Sequence, residues 1–203
     1  MPSTRKGHRT EEAFLAAARE CFATLGYLNT KIADISAAAG RSTASFYNYY
    51  DNKEQILEAL LGDFATSVVE ASLTTGHHDP YEGVTAAVTA YWKMYKEYLP
   101  EMIGLQQMAL TDPGFRQRLL ETRAAGIKQI LVGLHRAEDL GYTVDLPLDL
   151  LASALTSTLE SNCSVWLAVG GDIGIPPPDD ETAIRVLSAI WYRTVYSGPP
   201  APA

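Results

Sequence analysis

Hydrophobic residues recur at helical spacing along most of the chain. Near the N-terminus the apolar positions Phe14, Ala18, Cys21, Phe22 and Leu25 lie three or four residues apart, which places them on one face of a helix. Similar stripes recur as far as residue 195, separated by loops rich in glycine and proline. Neither alternating strand patterns nor internal repeats occur. The sequence therefore predicts an all-α protein with about nine helices.

The pattern divides the chain into four segments. Residues 1–9 are predicted to be a basic flexible arm, 10–52 a compact three-helix domain, 53–196 a larger helical domain and 197–203 a disordered tail. Thr10 and Thr30 are the predicted N-caps of the first two helices, because their hydroxyls can accept from free amides. Asp51, followed three residues later by Glu54, predicts a capping box where the chain leaves the small domain.

A short helix after Gly40 carries the most specific information. Gly40 can end the preceding helix in a left-handed conformation, and Ser42 can cap a new helix over residues 43–49. A helix, a three-residue turn and a second short helix form the helix-turn-helix pattern, whose second helix enters the major groove of DNA. Two consecutive surface helices would give the same pattern, so more context is needed.

An ordered series of residues in the first 57 positions supplies that context. The series is Phe14, Ala17, Phe22, Gly26, Tyr27, Thr30, Ile32, Ile35, Gly40, Ser42, Phe46, Tyr47, Tyr50, Lys53, Glu54 and Leu57. It resembles the N-terminal domain of the TetR family of transcriptional regulators. This resemblance implies a helix-turn-helix DNA-binding domain followed by a helical domain that dimerises and holds an effector. Arg41 departs from the family pattern beside the DNA-facing edge, so the operator sequence is not predicted.

Candidate DNA contacts follow from this resemblance and from side-chain chemistry. The matching family positions imply phosphate contacts for Thr30, Tyr47 and Lys53, whose side chains can donate. The polar residues available to read bases or to line the groove are Arg41, Ser42, Thr43, Ser45, Asn48 and Tyr49.

The charge distribution is compatible with DNA binding although the net charge is −8. Residues 1–55 hold seven Lys and Arg against six Asp and Glu, so the acidic excess lies in the remainder. Arg5, Lys6, His8 and Arg9 form a basic segment suited to a phosphate backbone. An ordinary solvated tail has the same composition.

The larger domain is predicted to bind a small molecule. It carries aromatic, methionine and a few polar residues, the composition of a ligand pocket, although core packing explains them as well. These residues are Phe64, Val68, Tyr91, Tyr95, Tyr98, Met102, Leu105, Gln106, Met108 and Asn162. The predicted function is a ligand-responsive transcriptional regulator, a repressor released from a palindromic DNA operator by a small apolar or amphipathic effector.

The last two helices are predicted to form a homodimer. The stretches around Leu155 and Trp191 carry more apolar surface than one chain covers, and two helices from each of two chains would form a four-helix bundle. The family resemblance implies the same arrangement.

Other kinds of function have weaker support. Cys21 and Cys163 show no metal or redox spacing, which suits the cytoplasm, and His77 and His78 lack a third ligand. The glycine-rich segment 170–174 follows no strand and has no phosphate-binding lysine. We expect no metal, cofactor, catalytic residue or membrane-spanning segment. A helical protein-interaction module and an enzyme remain the alternatives.

Overall fold

The computed structural model describes residues 5–72 and 79–196; the side chains of residues 5, 6 and 63–72 lie outside this description. The helices are α1 (Arg5–Leu25), α2 (Ile32–Ala38), α3 (Thr43–Phe46), α4 (Lys53–Ser72), α5 (Pro80–Glu97), α6 (Leu99–Ala109), α7 (Pro113–Asp139), α8 (Leu148–Cys163) and α9 (Asp180–Val195). In the described ranges the sole strand-like pairing is an isolated bridge between Asp172 and Ile175. The all-α prediction is confirmed. None of the described helices combines the length and apolar character needed to cross a bilayer.

Helix α1 begins at Arg5, not after Thr10 as predicted. The basic segment therefore forms the first turns of α1 rather than a flexible arm, and Thr10 is a buried helical residue instead of an N-cap. Gly7 is the weakest helix former in this segment, and it costs about 1 kcal/mol relative to alanine, too little to stop a helix that continues into a strong apolar stripe. Residues 1–4 and the predicted tail, 197–203, lie outside the described residues.

The start of α2 also differs from the prediction. Thr30 is only 2% exposed, and its hydroxyl donates to the Gly26 carbonyl at 2.8 Å, so it serves the end of α1. Lys31 is the N-cap residue of α2, and its amide donates to Asp34 Oδ2 at 2.9 Å. The predicted cap at Thr30 is wrong because the unpaired carbonyls at the end of α1 take its hydroxyl.

The start of α4 uses a capping pattern displaced by one residue from the predicted one. Asn52 Oδ1 accepts from the Gln55 amide at 2.8 Å, and Gln55 Oε1 accepts from the Asp51 amide at 2.8 Å. Glu54, predicted to close the box, instead accepts a hydrogen bond from the Tyr27 hydroxyl at 3.1 Å. The start of α4 is therefore fixed both locally and by the turn that follows α1.

The described residues form two compact units. The first unit comprises those within Met1–Thr66 and Tyr98–Leu119, and the second those within Ser67–Glu97 and Leu120–Ala203. These units differ from the predicted division at residue 52, because α6 belongs to the first unit. Helix α6 packs on α1, where the fully buried Glu101 pairs with Arg19 Nε at 2.6 Å. Pro100 lies in the first turn of α6, where its missing amide leaves no hydrogen bond unmade.

The first unit has a continuous aromatic core. Phe14 and Phe46 meet edge to face with ring centroids 5.5 Å apart, and Phe22 and Tyr27 do the same at 5.1 Å. Ile35 from α2 is fully buried with them. These contacts join α1, α2 and α3 into the predicted three-helix core, so the direction of α3 is set by packed side chains and not by its own length of four residues.

In the second unit, α5 packs on α9 and α8. The Trp92 indole donates to Asp180 Oδ1 at 3.0 Å, and Lys96 Nζ lies 2.8 Å from Asp180 Oδ2. Hydrogen bonds from Lys96 and Trp92 lower the pKa of Asp180. The first residue of α9 is thereby fixed to the C-terminal half of α5.

Helix α8 continues into a π-helical turn, Ser164–Val169. The Val165 carbonyl accepts from the amides of both Gly170 and Gly171 at 3.0 Å. Gly171 has a φ of 101°, and a Cβ there would lie 2.5 Å from the Ile175 carbonyl oxygen. The loop after α8 is thus a tightly built turn that requires glycine at this position.

Candidate nucleic-acid interface

Helix α3 is held rigidly by its buried side. Phe46 is fully buried and contacts Phe14 and Tyr50, with ring centroids 5.5 and 5.6 Å away. Ser42 Oγ accepts from the Ser45 amide at 3.1 Å and caps the helix, as predicted. Gly40, with a φ of 63°, makes the turn from α2. Both ends of α3 are therefore defined by specific contacts.

The other side of α3 carries most of the predicted DNA-contacting residues. Arg41, Ser42, Thr43, Tyr47 and Asn48 are all exposed. Their side chains supply guanidinium, hydroxyl and amide groups, which can donate to and accept from base edges in the major groove. Because Thr43 and Tyr47 are four residues apart, they share one side of this short helical segment.

Ser45 and Tyr49 are half-buried, so their roles differ from those of the exposed group. The Tyr49 ring packs on Phe14 with centroids 5.7 Å apart. Tyr49 therefore contributes its ring to the core of the first unit, and only its remaining exposed part could line a groove.

Lys53 is engaged within the protein. Its Nζ donates to the carbonyls of Tyr27 at 2.6 Å, Thr30 at 3.0 Å and Leu28 at 3.3 Å. It also lies 4.3 Å from the centroid of the Tyr27 ring. Burial lowers the pKa of this ammonium. An ammonium has three donors, so this arrangement leaves none for a phosphate oxygen, and the predicted phosphate contact is not available in this structure.

Thr30 is likewise unsuited to a direct phosphate contact. Its buried hydroxyl donates to Gly26 and lies 3.2 Å from the Cys21 carbonyl. The main chain at the end of α1 takes this hydroxyl, and the phosphate contact of Thr30 stays a prediction. Lys31, which the sequence analysis passed over, is exposed beside it at the start of α2. Its basic side chain directly before α2 was the sequence signal that could have identified Lys31 as a candidate phosphate contact.

The predicted effector-binding residues divide between the two units. Tyr91, Tyr95 and Asn162 belong to the second unit, where the rings of Tyr91 and Tyr95 lie 6.0 Å apart. The others that are described lie on or beside α6 in the first unit: Tyr98, Met102, Leu105, Gln106 and Met108. Met102 and Leu105 are buried in its core. The side chains of Phe64 and Val68 lie outside the described part of the structure. A shared lining of one pocket stays a prediction.

An open groove of about 650 Å³ runs along α5 in the second unit. It is lined by Tyr81, Glu82, Thr85, Ala86, Thr89, Ala90 and Lys93. None of the predicted effector residues whose side chains the structure describes lines it. Its volume lies in the range of small-molecule sites, although such sites are more enclosed.

The described residues show no group of three or more His, Cys, Asp and Glu side chains placed to hold a metal ion. His77 and His78, considered as metal ligands in the sequence, lie outside the described residues. The two cysteines are buried and unpaired with each other.

Residues 14–60 match the family described as "Bacterial regulatory proteins, tetR family". This match spans α1 to α3 and the start of α4, the elements that build and support the exposed face of α3. Residues 14–60 form a TetR-family DNA-binding domain. The comparisons support a DNA-binding transcriptional regulator rather than an enzyme.

Full-length comparisons agree with this assignment. The chain is 28% identical over 173 residues to the HTH-type transcriptional repressor AcnR of Corynebacterium diphtheriae, covering 85% of this chain and 87% of that protein. It is 24% identical over 213 residues to the repressor KstR2 of Rhodococcus jostii, covering 93% and 91%. A tetR-family regulatory protein from Rhodococcus RHA1 shares the fold with a TM-score of 0.73 at 20% identity, over 95% of this chain and 98% of that one.

Proposed function

We propose that this regulator is a dimeric repressor that binds a palindromic operator and releases it when a small apolar or amphipathic molecule binds the helical domain. The observation that carries the DNA-binding part is the exposed polar face of α3, fixed from behind by Phe14 and Phe46. A helix held in this way can present its side chains to base edges without first becoming ordered.

The division of roles on this face rests on exposure. Arg41, Thr43 and Asn48 are exposed and can meet base edges, and Tyr47, 56% exposed, can reach a phosphate through its hydroxyl. Ser42 is already occupied as the cap of α3, so its contribution to DNA binding comes through the position of the helix. Lys53 acts in the same indirect way, by holding the turn between α1 and α2.

The dimer is supported by apolar residues that the chain leaves exposed on α8 and α9. Leu150 is 65% exposed, Ile190 43% and Val186 38%. Leu155 and Trp191, which the sequence analysis used as interface markers, are covered within the chain itself. Exposed apolar residues on the last two helices are typical of a two-fold helical interface. A two-fold dimer pairs two α3 helices with two DNA half-sites, which requires a palindromic operator.

Repression is supported by the names of the curated relatives, which are repressors. Release by a ligand follows from a difference in affinity between two states of the protein. A hundredfold loss of DNA affinity requires about 2.7 kcal/mol of coupling between the two sites.

The experiment that tests DNA binding is selection from a randomised duplex library, followed by anisotropy titrations of the selected duplex at several salt concentrations. We expect an inverted-repeat sequence and a slope of about −0.9 per neutralised phosphate in log affinity against log salt. Failure to enrich any sequence, or binding without salt dependence, would contradict the proposal.

A thermal-shift screen of small molecules, with each hit then titrated into the protein–DNA complex, tests release.

A further inference from the structure

The loop between the π-helical turn and α9 presents three β-branched apolar side chains to solvent. Val169 is 73% exposed, Ile173 105% and Ile175 62%. Single exposed apolar residues are common on protein surfaces, but a group of them within residues 169–175 is typical of a binding surface. We call these three residues the apolar tip.

Backbone hydrogen bonds fix the apolar tip in this exposed position. The Asp172 amide donates to the Ile175 carbonyl at 3.0 Å, and the Ile175 amide donates to the Asp172 carbonyl at 2.9 Å. Between them Gly174, with a φ of 78°, supplies the left-handed conformation that the turn requires. Ile173 is therefore held at the end of a closed turn, where its own chain does not cover it. Covering a side chain that is already fixed costs little conformational entropy.

The charge of this part of the chain decides what kind of partner fits it. Residues 137–184 include nine Asp and Glu but no Lys or Arg. Asp172, within the tip, and Asp179, after it, are both exposed. Negative charge is repelled by DNA phosphates and by anionic lipid headgroups. The surface that covers the tip is therefore apolar and carries positive charge.

The exposed face of α9 has this matching composition. Val186 and Ile190 are 38% and 43% exposed, and Arg193 is exposed as well. Because these residues follow one another at intervals of four and three positions, they share one face of the helix. Within one chain both this α9 face and the apolar tip are exposed, so they do not cover each other. A second copy of the chain supplies the required surface, and two-fold symmetry forms the contact twice.

We propose that the apolar tip of each protomer docks on the α9 face of a second copy of this chain, so that the loop between α8 and α9 is an arm of the dimer. This inference rests on the proposed dimer through α8 and α9, and it adds the loop to the surfaces that meet there. Ile173 is the anchor of the contact, because it is the most exposed member of the tip. Asp172 meets the partner's Arg193, which fixes the register of the two chains.

Photo-cross-linking of the full chain tests which surface the tip meets. With p-benzoylphenylalanine in place of Ile173, a mixture of isotopically heavy and light chains should yield covalent dimers that join a heavy chain to a light one through the tryptic peptide 186–193. The same amino acid in place of Leu110, which is 80% exposed in the first unit, is the matched control and should yield no dimers. Cross-links from position 173 that are absent, stay within one chain or reach only operator DNA would overturn the inference.

Sedimentation equilibrium measures how much the arm contributes to the dimer. Ile173→Ser should weaken the dimer about tenfold or more, because burying an isoleucine side chain contributes that much to association. Its unfolding midpoint should not change, since this side chain is exposed within its own chain. Leu110→Ser should change neither quantity. Asp172→Arg and Arg193→Asp should each weaken the dimer, and the two together should restore it. Unchanged dimerisation of Ile173→Ser, or a double variant as weak as the single ones, would contradict the arm.

Failure of the arm is distinguishable from failure of the proposed function. A dimer that dissociates in Ile190→Glu but not in Ile173→Ser would retain the proposed repressor and remove the arm. A cross-link from position 173 to the partner, in a protein that enriches no inverted-repeat sequence, would retain the arm and remove the proposed operator binding.

Discussion

Lys53 Nζ lies 2.6 Å from the carbonyl oxygen of Tyr27, and the same ammonium lies 4.3 Å from the centroid of the Tyr27 ring. One side chain therefore closes the first unit between the start of α4 and the turn after α1. We predict that Lys53→Met lowers the free energy of unfolding by about 1–3 kcal/mol, because charge-assisted hydrogen bonds to three carbonyls are lost. Urea denaturation measures this, with the exposed Lys31→Met as the control. If Lys53→Met and Lys31→Met had the same free energy of unfolding, the contacts of Lys53 would not stabilise the fold.

Gly104 on α6 is predicted to resist replacement by alanine. A Cβ at this position would lie 3.2 Å from Tyr27 Cβ and 3.3 Å from Leu57 Cδ2, so neighbouring core side chains would have to move. Overpacking a core costs about 1–3 kcal/mol, and the gain in helix propensity offsets about 1 kcal/mol of it, so we expect Gly104→Ala to cost up to about 2 kcal/mol of stability. Gly126→Ala on α7 is the matched control, since its nearest neighbour would be 3.9 Å away and alanine favours helix by about 1 kcal/mol. The midpoint temperature of thermal unfolding should fall for Gly104→Ala and rise for Gly126→Ala.

Changes on the exposed side of α3 should alter sequence preference. Asn48 and Thr43 can hydrogen-bond to base edges, and a lost pair of such bonds costs about 1–3 kcal/mol of discrimination. We predict that Asn48→Ala and Thr43→Val each relax selectivity at particular base pairs in a randomised duplex library. Ser42→Ala serves as a contrast, because losing the cap of α3 should weaken binding to all duplexes together. Uniform weakening by all three variants would contradict base reading by Asn48 and Thr43.

Substitutions at the exposed apolar residues of α9 should disrupt the dimer without unfolding the chain. We predict that Ile190→Glu gives a folded protein that sediments as a monomer, since this side chain is 43% exposed. Trp191→Glu should unfold the second unit instead, because Trp191 is buried in the chain and an unpaired buried charge costs several kcal/mol. Sedimentation velocity with circular dichroism separates these outcomes. An unmodified protein that is monomeric at micromolar concentration would exclude this interface.

Alkaline pH should destabilise the second unit through Cys163. Burial raises the pKa of this thiol from 9.0 to about 12. Above pH 9 the unfolded thiol loses its proton while the folded one keeps it, so the free energy of unfolding falls as the pH rises. We expect a loss of about 1 kcal/mol between pH 8 and pH 10 that is absent in Cys163→Ala. Denaturation curves of Cys163→Ala and of the unmodified protein at the two pH values test this; an unchanged pH dependence in Cys163→Ala would contradict it.

The three-helix core could be predicted because its determinants are local. The spacing of Phe14, Phe22, Ile35 and Phe46 defines one buried face on each helix, and Gly26 and Gly40 adopt the left-handed backbone conformations expected where helices end. These features depend on periodicity and backbone sterics, which any sequence displays directly. The exposure of Arg41, Thr43 and Asn48 followed from the same pattern.

The roles of Thr30, Lys53 and α6 could not be predicted in the same way. Lys53 is engaged by carbonyls 23 to 26 residues away, and Glu101 pairs with an arginine 82 residues away. Such pairings depend on which helices meet, and hydrophobic spacing does not encode that. A buried glutamate on α6 has no distinguishing feature in the sequence until Arg19 is placed beside it.

The π-helical turn Ser164–Val169 is a place where the chain could lose one residue and keep its helix. A π turn holds one residue more than the α-helix it interrupts, and its hydrogen bonds span five residues in place of four. Deleting one residue here would let α8 continue in ordinary α-helical register while rotating every side chain beyond the deletion by about 100°. The loop that presents Ile173 to solvent would then leave from a different side of α8, so a single-codon deletion could redirect this surface without disturbing the helix that carries Glu160.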